Sequence, residues 1–216
     1  MGQDETNQNK ERYSIGFDII PLLYNTKCLP NKLLKEDYVP YNLTLTILSK
    51  NNYSYRIGAN LFYSDYQKAI KWNPSKNWDQ MNNICGAYFG IEKNILNYKK
   101  LDINYGGDVG YLFYQKKYNH IIEQSPFNLK TTESLYSKSH EGYLSIFASV
   151  KYILNKNFAI SSDFSMKVRS EYSNVISKNS TVNVENQSAP STISTNVNSH
   201  RVRCSPQFTL KMICIL

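Results

Sequence analysis

Long hydrophobic runs are missing from this chain of 216 residues, and no stretch approaches the ~18 consecutive apolar residues of a membrane-spanning helix. Cysteine is scarce: Cys28, Cys85, Cys204 and Cys214 show neither CxxC nor Cys/His ligand spacing, which argues against a zinc site or any other metal centre. There is no glycine-rich phosphate loop, so no nucleotide or other cofactor is expected. Charged residues make up 19%, below the usual ~25% of a soluble domain. The basic excess, 25 Lys and Arg against 17 Asp and Glu, comes without a basic helix or a stacking platform, and nucleic acid is not an expected partner. The polar start MGQDETNQNK lacks a basic segment followed by an apolar one. It is expected to be a mature N-terminus near Gly2–Gln3, left after removal of a signal peptide.

What the chain does have is tyrosine, 18 in all, an apolar fraction of 41%, and alternation. Apolar residues recur at every second position, the signature of strands with two unlike faces, while helical periodicity is almost absent. The clearest case is 200–216, where Val202, Cys204, Phe208, Leu210, Met212 and Cys214 interleave with Arg201, Arg203, Gln207, Thr209 and Lys211. The same reading places strands at about 12–24, 42–50, 53–66, 84–93, 101–118, 142–154 and 157–172, eight in total. Asn51–Asn52, Asn94–Lys100 and Asn155–Lys156 read as short turns. Between them, 25–41, 67–83, 119–139 and 173–199 read as long polar loops. Long and short connections alternate, so an antiparallel meander puts every long loop at one end and every short turn at the other.

Alternation alone fits two barrels: a soluble one with an apolar interior, or a transmembrane one with an apolar exterior. Three features favour the second. Gly16, Gly58, Gly86, Gly90, Gly106 and Gly110 all fall on the polar face, where a narrow lumen needs small residues. Tyrosines gather near both ends of the apolar face, as at a lipid–water boundary. Each apolar set is also about 9–11 residues long or more, enough for a tilted strand to cross a bilayer. The expected fold is an all-β, closed, eight-stranded antiparallel up-and-down transmembrane barrel over 12–216, with 1–11 as a flexible periplasmic tail.

The segments YSIGFDIIPLLY, YSYRIGANLFYSDY, ICGAYFGIEKNI, LDINYGGDVGYLFY and the closing FTLKMICIL carry a family likeness. With them the chain resembles the small outer-membrane β-barrels of Gram-negative bacteria, the OmpA/OmpX type, and particularly the Bacteroidetes barrel-domain proteins related to PorT. The resemblance covers roughly 12–216 and departs at Leu216, where such barrels commonly end in an aromatic. It implies an outer-membrane location after loss of a signal peptide.

The polar face carries six acids and seven bases: Asp18, Arg56, Glu92, Asp102, Asp108, Lys151, Asp163, Lys167, Arg169, Glu171, Arg201, Arg203 and Lys211. Charges in a narrow lumen persist when paired, so an ion-pair network is expected there. Cys28 and Cys204 are a candidate disulfide, because closing the barrel pairs the first strand with the last. His120, His140 and His200 fall at the long-loop ends of strands. Ser139–His140–Glu141 and Ser199–His200 are neighbours in sequence only; adjacent strand residues point to opposite faces, so neither forms a catalytic pair within one strand. The expected role is structural, adhesive or that of a complex subunit. Its partners would be outer-membrane lipid, lipopolysaccharide at the basic loops, and other envelope proteins. A lipid A-modifying enzyme is the alternative, and a soluble ligand-binding barrel the third reading.

Overall fold

The computed structural model describes residues 13–20, 41–49, 52–69, 76–124, 129–183 and 191–216. Eight strands follow one another around a ring: β1 (Tyr13–Asp18), β2 (Tyr41–Leu48), β3 (Tyr53–Ala69), β4 (Lys76–Tyr98), β5 (Leu101–Gln124), β6 (Leu129–Ile153), β7 (Phe158–Asn183) and β8 (Ser191–Ile215). Every neighbour pair is antiparallel, and the ring closes where β1 meets β8, from Ser14 opposite Ile215 to Asp18 opposite Lys211. The fold is therefore an all-β, eight-stranded, up-and-down closed barrel.

The barrel is inside out relative to a soluble one. Along β6, Ser145 is 7% exposed and Ile146 is 70% exposed, and the alternation runs unbroken from Ser139 to Val150. Among the described residues, the buried set holds fifteen polar or charged residues and six apolar ones. Leu43, Ile57, Val109, Leu144, Phe164, Val168 and Met212 all point outward. A ligand-binding barrel with an apolar interior does not fit this arrangement.

β3 to β8 run further than alternation indicates, whereas β1, expected at about 12–24, ends at Asp18. Of the segments expected to be loops, 76–83, 119–124, 129–139, 173–183 and 191–199 are strand. β5 to β8 are 24 to 26 residues long, while β1 has 6 and β2 has 8. From Ser191 to Cys204 almost every residue of β8 is exposed, on both faces. With water on both sides, a strand has no reason to alternate, so Ser-, Thr- and Asn-rich pairing leaves no periodic trace. Most of the fourth expected loop, 25–41, lies outside the described residues, as does the expected tail 1–11.

The turn end differs in one place. Asn94–Lys100 is not a loop: β4 continues to Tyr98 and turns at Lys99–Lys100, with Lys99 at a φ of 54°. A β-bulge at Asn94/Leu96 inserts one residue, so Leu96 and Tyr98 join the outward face from even positions after Ile91 reached it from an odd one. That change of parity hides the strand from a period-2 reading. At the Asn155 turn, the side-chain Oδ1 accepts hydrogen bonds from the backbone N–H of Asn157 and of Phe158, each at 2.9 Å.

Candidate functional site

The interior is built in layers, and the central one surrounds Arg56, which is 4% exposed. Its guanidinium reaches three carboxylates from three strands. Nη1 lies 3.6 Å from Glu92 on β4, Nε 3.8 Å from Asp108 on β5, and Nη2 3.3 Å from Asp163 on β7. Lys211 on β8 donates to Asp163 at 2.7 Å, and Ser161 Oγ donates to the other Asp163 oxygen at 3.0 Å. Ser145 donates to Asp108 at 3.5 Å. Arg56 also sits against the face of Phe147, its guanidinium carbon 4.0 Å from the ring centroid. The cluster ties β3, β4, β5, β7 and β8 together across the lumen.

Space for these groups comes from glycine. A Cβ at Gly90 would collide with Asp108 Oδ1, so the carboxylate occupies room that only glycine leaves. Four large inward residues follow the same rule, each directly opposite a glycine on the neighbouring strand. Tyr88 faces Gly58, Leu112 faces Gly86, Phe147 faces Gly106 and Tyr143 faces Gly110. An added Cβ would run into the Tyr88 and Tyr143 rings, and would lie 2.5 Å from the Leu112 side chain and 2.6 Å from the Phe147 ring. Tyr88 then donates to Asn42 at 3.1 Å and also meets the Thr44 hydroxyl. The result is a plug of rings and ion pairs. On its turn side lies a polar cavity of about 30 Å³, bordered by Arg56, Glu92, Asp163, Lys211 and serines, with room for about one water.

The thirteen charged residues expected in the lumen separate into levels. Asp18, Arg56, Glu92, Asp108, Asp163 and Lys211 occupy the central layer; Asp18 is opposite Lys211 in the closing ladder and accepts the Ile20 N–H at 3.0 Å. Asp102 and Lys151 face each other nearer the turns. Lys167 places its ammonium 3.9 Å from the centre of the Tyr143 ring, and Arg169 lies 3.7 Å from Glu141. Glu171 and Arg203 pair at 3.2 Å, but the Arg203 side chain is 57% exposed. Arg201 is exposed as well. Expecting these two arginines in an enclosed lumen is corrected here: β1 ends at Asp18, level with Lys211, so among the described residues no β1 partner stands beside this part of β8.

Two components of the interior were not singled out in the sequence. Glu141 is buried and accepts from Tyr114 Oη at 3.3 Å as well as facing Arg169. Its parity with Tyr143 and Ser145 was the available signal. The glycine–ring pairs needed the register, which periodicity does not contain. For the cysteines, Cys204 is a free thiol on the outward face and Cys28 lies outside the described residues, so the structure offers no support for pairing them.

The histidines sit on strands. His120 faces inward, 3.6 Å from Glu133. His140 and His200 face outward in one cross-strand row, Phe113–His140–Tyr172–His200. His140 hydrogen-bonds Tyr111 through Nδ1 and packs against Phe113 at 5.2 Å between centroids; Ser170 Oγ and His200 Nε2 are 2.9 Å apart. This row separates the apolar outward surface from the polar strands beyond it.

No family model and no curated protein matches the chain. Among solved structures, it is similar to a major outer membrane protein from Thermus thermophilus, with 9% identity over 96% of this chain and 100% of that one, at a TM-score of 0.52. Two others are CarO2 of Acinetobacter baumannii (10% identity, 97% and 100% covered, TM-score 0.42) and Ail, the attachment invasion locus protein of Yersinia pestis (14%, 97% and 100%, 0.39). At these identities the likeness establishes the fold alone.

Proposed function

We propose that this chain is an integral outer-membrane barrel with a closed lumen, whose role is structural, adhesive or that of a complex subunit. The observation that carries the reading is the inversion: an apolar belt faces outward around a core of paired charges. An apolar surface that encircles the molecule is stable only when something apolar covers it, and lipid is the cover that fits a closed ring of strands. The tight turns and Leu216 lie at one end and the long strands at the other, the arrangement of outer-membrane barrels with the turns in the periplasm. The PorT-like subtype rests on sequence resemblance only.

The plugged interior supports a lumen closed to solutes. Reconstituted into lipid vesicles, the protein should partition with the lipid and leave trapped small sugars trapped. Efflux at a rate set by solute size would overturn the closed lumen, and recovery in the aqueous phase would overturn the membrane reading itself. A lipid A-modifying enzyme draws on the Ser170–His200 hydrogen bond at the apolar boundary. The residues beside His200 on that face are Tyr172, Asn198 and Val202, with no carboxylate to orient the imidazole, so the pair reads as part of the aromatic row. Unchanged lipid A acyl chains on cells carrying Ser170→Ala would agree with this.

A further inference from the structure

We propose that the outward face of β5, β6 and β7, just beyond the aromatic row, binds the phosphate groups of lipopolysaccharide in the surrounding outer leaflet. This rests on the membrane reading above, with the long strands outside, and gives it a site.

Register sets the depth. One outward position beyond Phe113–His140–Tyr172–His200 comes the row Gln115–Lys138–Asn174–Asn198. The next is Lys117–Tyr136–Ile176–Asn196, and after it Asn119–Ser134–Lys178–Ser194. Two residues advance a strand by about 7 Å, and a strand tilted by about 45° rises roughly 5 Å over that length. Lys138 and Lys117 therefore stand about 5 and 10 Å beyond the last aromatic row, at the level of lipid headgroups.

Charge on the two faces is segregated. Among the described side chains of β5 to β7, the acids Glu133, Glu141 and Glu171 point to the other face, where His120, Arg169 and Arg203 pair with them. In these three outward rows of β5 to β8 the charged residues are Lys117, Lys138 and Lys178, and there is no carboxylate. Carried on to β4 these rows add Asn83, Met81 and Asp79, so from β4 to β8 three lysines stand against one acid and the face is net positive. It is complementary to an anionic surface lying alongside.

The face is also concave. A groove of about 350 Å³ is lined by Lys117, Asn119, Ser134, Tyr136, Ile176 and Lys178. Tyr136 stands at its centre, with the Lys117 and Lys138 ammonium groups 5.8 and 5.3 Å from its ring centroid. Gln115 donates to its hydroxyl oxygen at 3.0 Å, which holds the ring in place and leaves the phenolic proton free to donate to an anion. Two ammonium groups and a hydroxyl lining a groove, with the Lys138 ammonium beside them on the Tyr136 ring, suit a phosphate on a sugar. A lone zwitterionic headgroup would bring its own cation and gain less.

The test uses the full chain in phosphatidylcholine nanodiscs, titrated with lipopolysaccharide, with enzymatically dephosphorylated lipopolysaccharide, and with phosphatidylglycerol vesicles. The wild type should bind intact lipopolysaccharide and lose it on dephosphorylation. The triple variant Lys117→Gln, Lys138→Gln, Lys178→Gln should bind on the order of a hundredfold more weakly, about fivefold per lysine near an anionic surface. A control that removes the same charge at the turn end, Lys99→Gln, Lys100→Gln, Lys156→Gln, should stay within about twofold, and the Lys→Arg triple should retain binding, which separates lost charge from lost folding. A groove-variant loss below about threefold, or equal binding of the dephosphorylated form, overturns the site. Binding of phosphatidylglycerol as tight as that of lipopolysaccharide overturns its assignment to that lipid. Failure of the wild type to enter nanodiscs at all would instead overturn the membrane reading on which the proposal stands.

Discussion

Below the row of Phe113, His140, Tyr172 and His200, the structure obeys strict rules. Beyond it, the same strands obey hardly any. In the lower region each inward ring is matched to a glycine and each central carboxylate to a cation, and eight strands close the ring. In the upper region β8 is exposed on both faces, and the Glu171–Arg203 pair stands partly in water. The backbone does not change between the two; the surroundings do. Where no water reaches, every backbone N–H and C=O has to be paired, so the sheet must close on itself and its charges must be compensated inside. Where water is present, it satisfies an edge or a lone ammonium, and β5 to β8 can run on for 24 to 26 residues while β1 stops at 6.

That contrast predicts unequal effects of matched substitutions. The largest difference is expected between two arginines that both face acids. Arg56→Ala strands three buried carboxylates and should lower stability by about 3–5 kcal/mol, whereas Arg203→Ala, at an exposed pair, should change it by less than about 1 kcal/mol. Urea unfolding from lipid vesicles, followed by circular dichroism, measures both, and equal losses would break the comparison. Next come two exposed apolar positions, one on each side of the row. Ile146→Lys lies midway along the apolar run of β6 and, in the membrane proposed above, should lose about 2–4 kcal/mol. Val197→Lys, exposed on β8, should stay within about 0.5 kcal/mol.

A smaller pair uses glycine. A Cβ at Gly86 would collide with the Tyr111 carbonyl oxygen, part of the backbone, while one at Gly142 meets nothing within 4 Å. Gly86→Ala should therefore lose about 1–3 kcal/mol by overpacking, and Gly142→Ala nothing beyond the error of the same unfolding experiment. The smallest expected effect is at the turn end. Asn155→Ala removes two side-chain hydrogen bonds to exposed N–H groups that water can replace, for about 0.5–1.5 kcal/mol. A larger loss would mean that the turn, not the interior, governs the β6–β7 hairpin.

Within the lower region most of the architecture was legible in the sequence, because two unlike surroundings on two faces impose period 2. Ser145, Phe147 and Ser149 against Leu144, Ile146 and Ala148 required no structure to sort. Legibility failed wherever that contrast was absent or shifted. The bulge at Asn94/Leu96 exchanged the faces within a strand, and the segments 129–137 and 173–183, mostly half-buried on both faces, had no contrast to display. Of the interior charges, parity assigned Arg56, Asp108, Asp163 and Lys211 to one face. It could not say that three carboxylates meet one guanidinium, nor that Glu141 belongs with Arg169.

The order of residues along the chain thus determined how many strands there are and which face of each is apolar, since each is a local consequence of what a strand touches on its two sides. The tertiary structure decided which charges neutralise one another, which glycine receives which ring, and how far the sheet continues past the apolar belt. Those depend on register between strands far apart in sequence. One residue of slip would leave every strand's own pattern intact while separating Gly58 from Tyr88 and Arg56 from its acids.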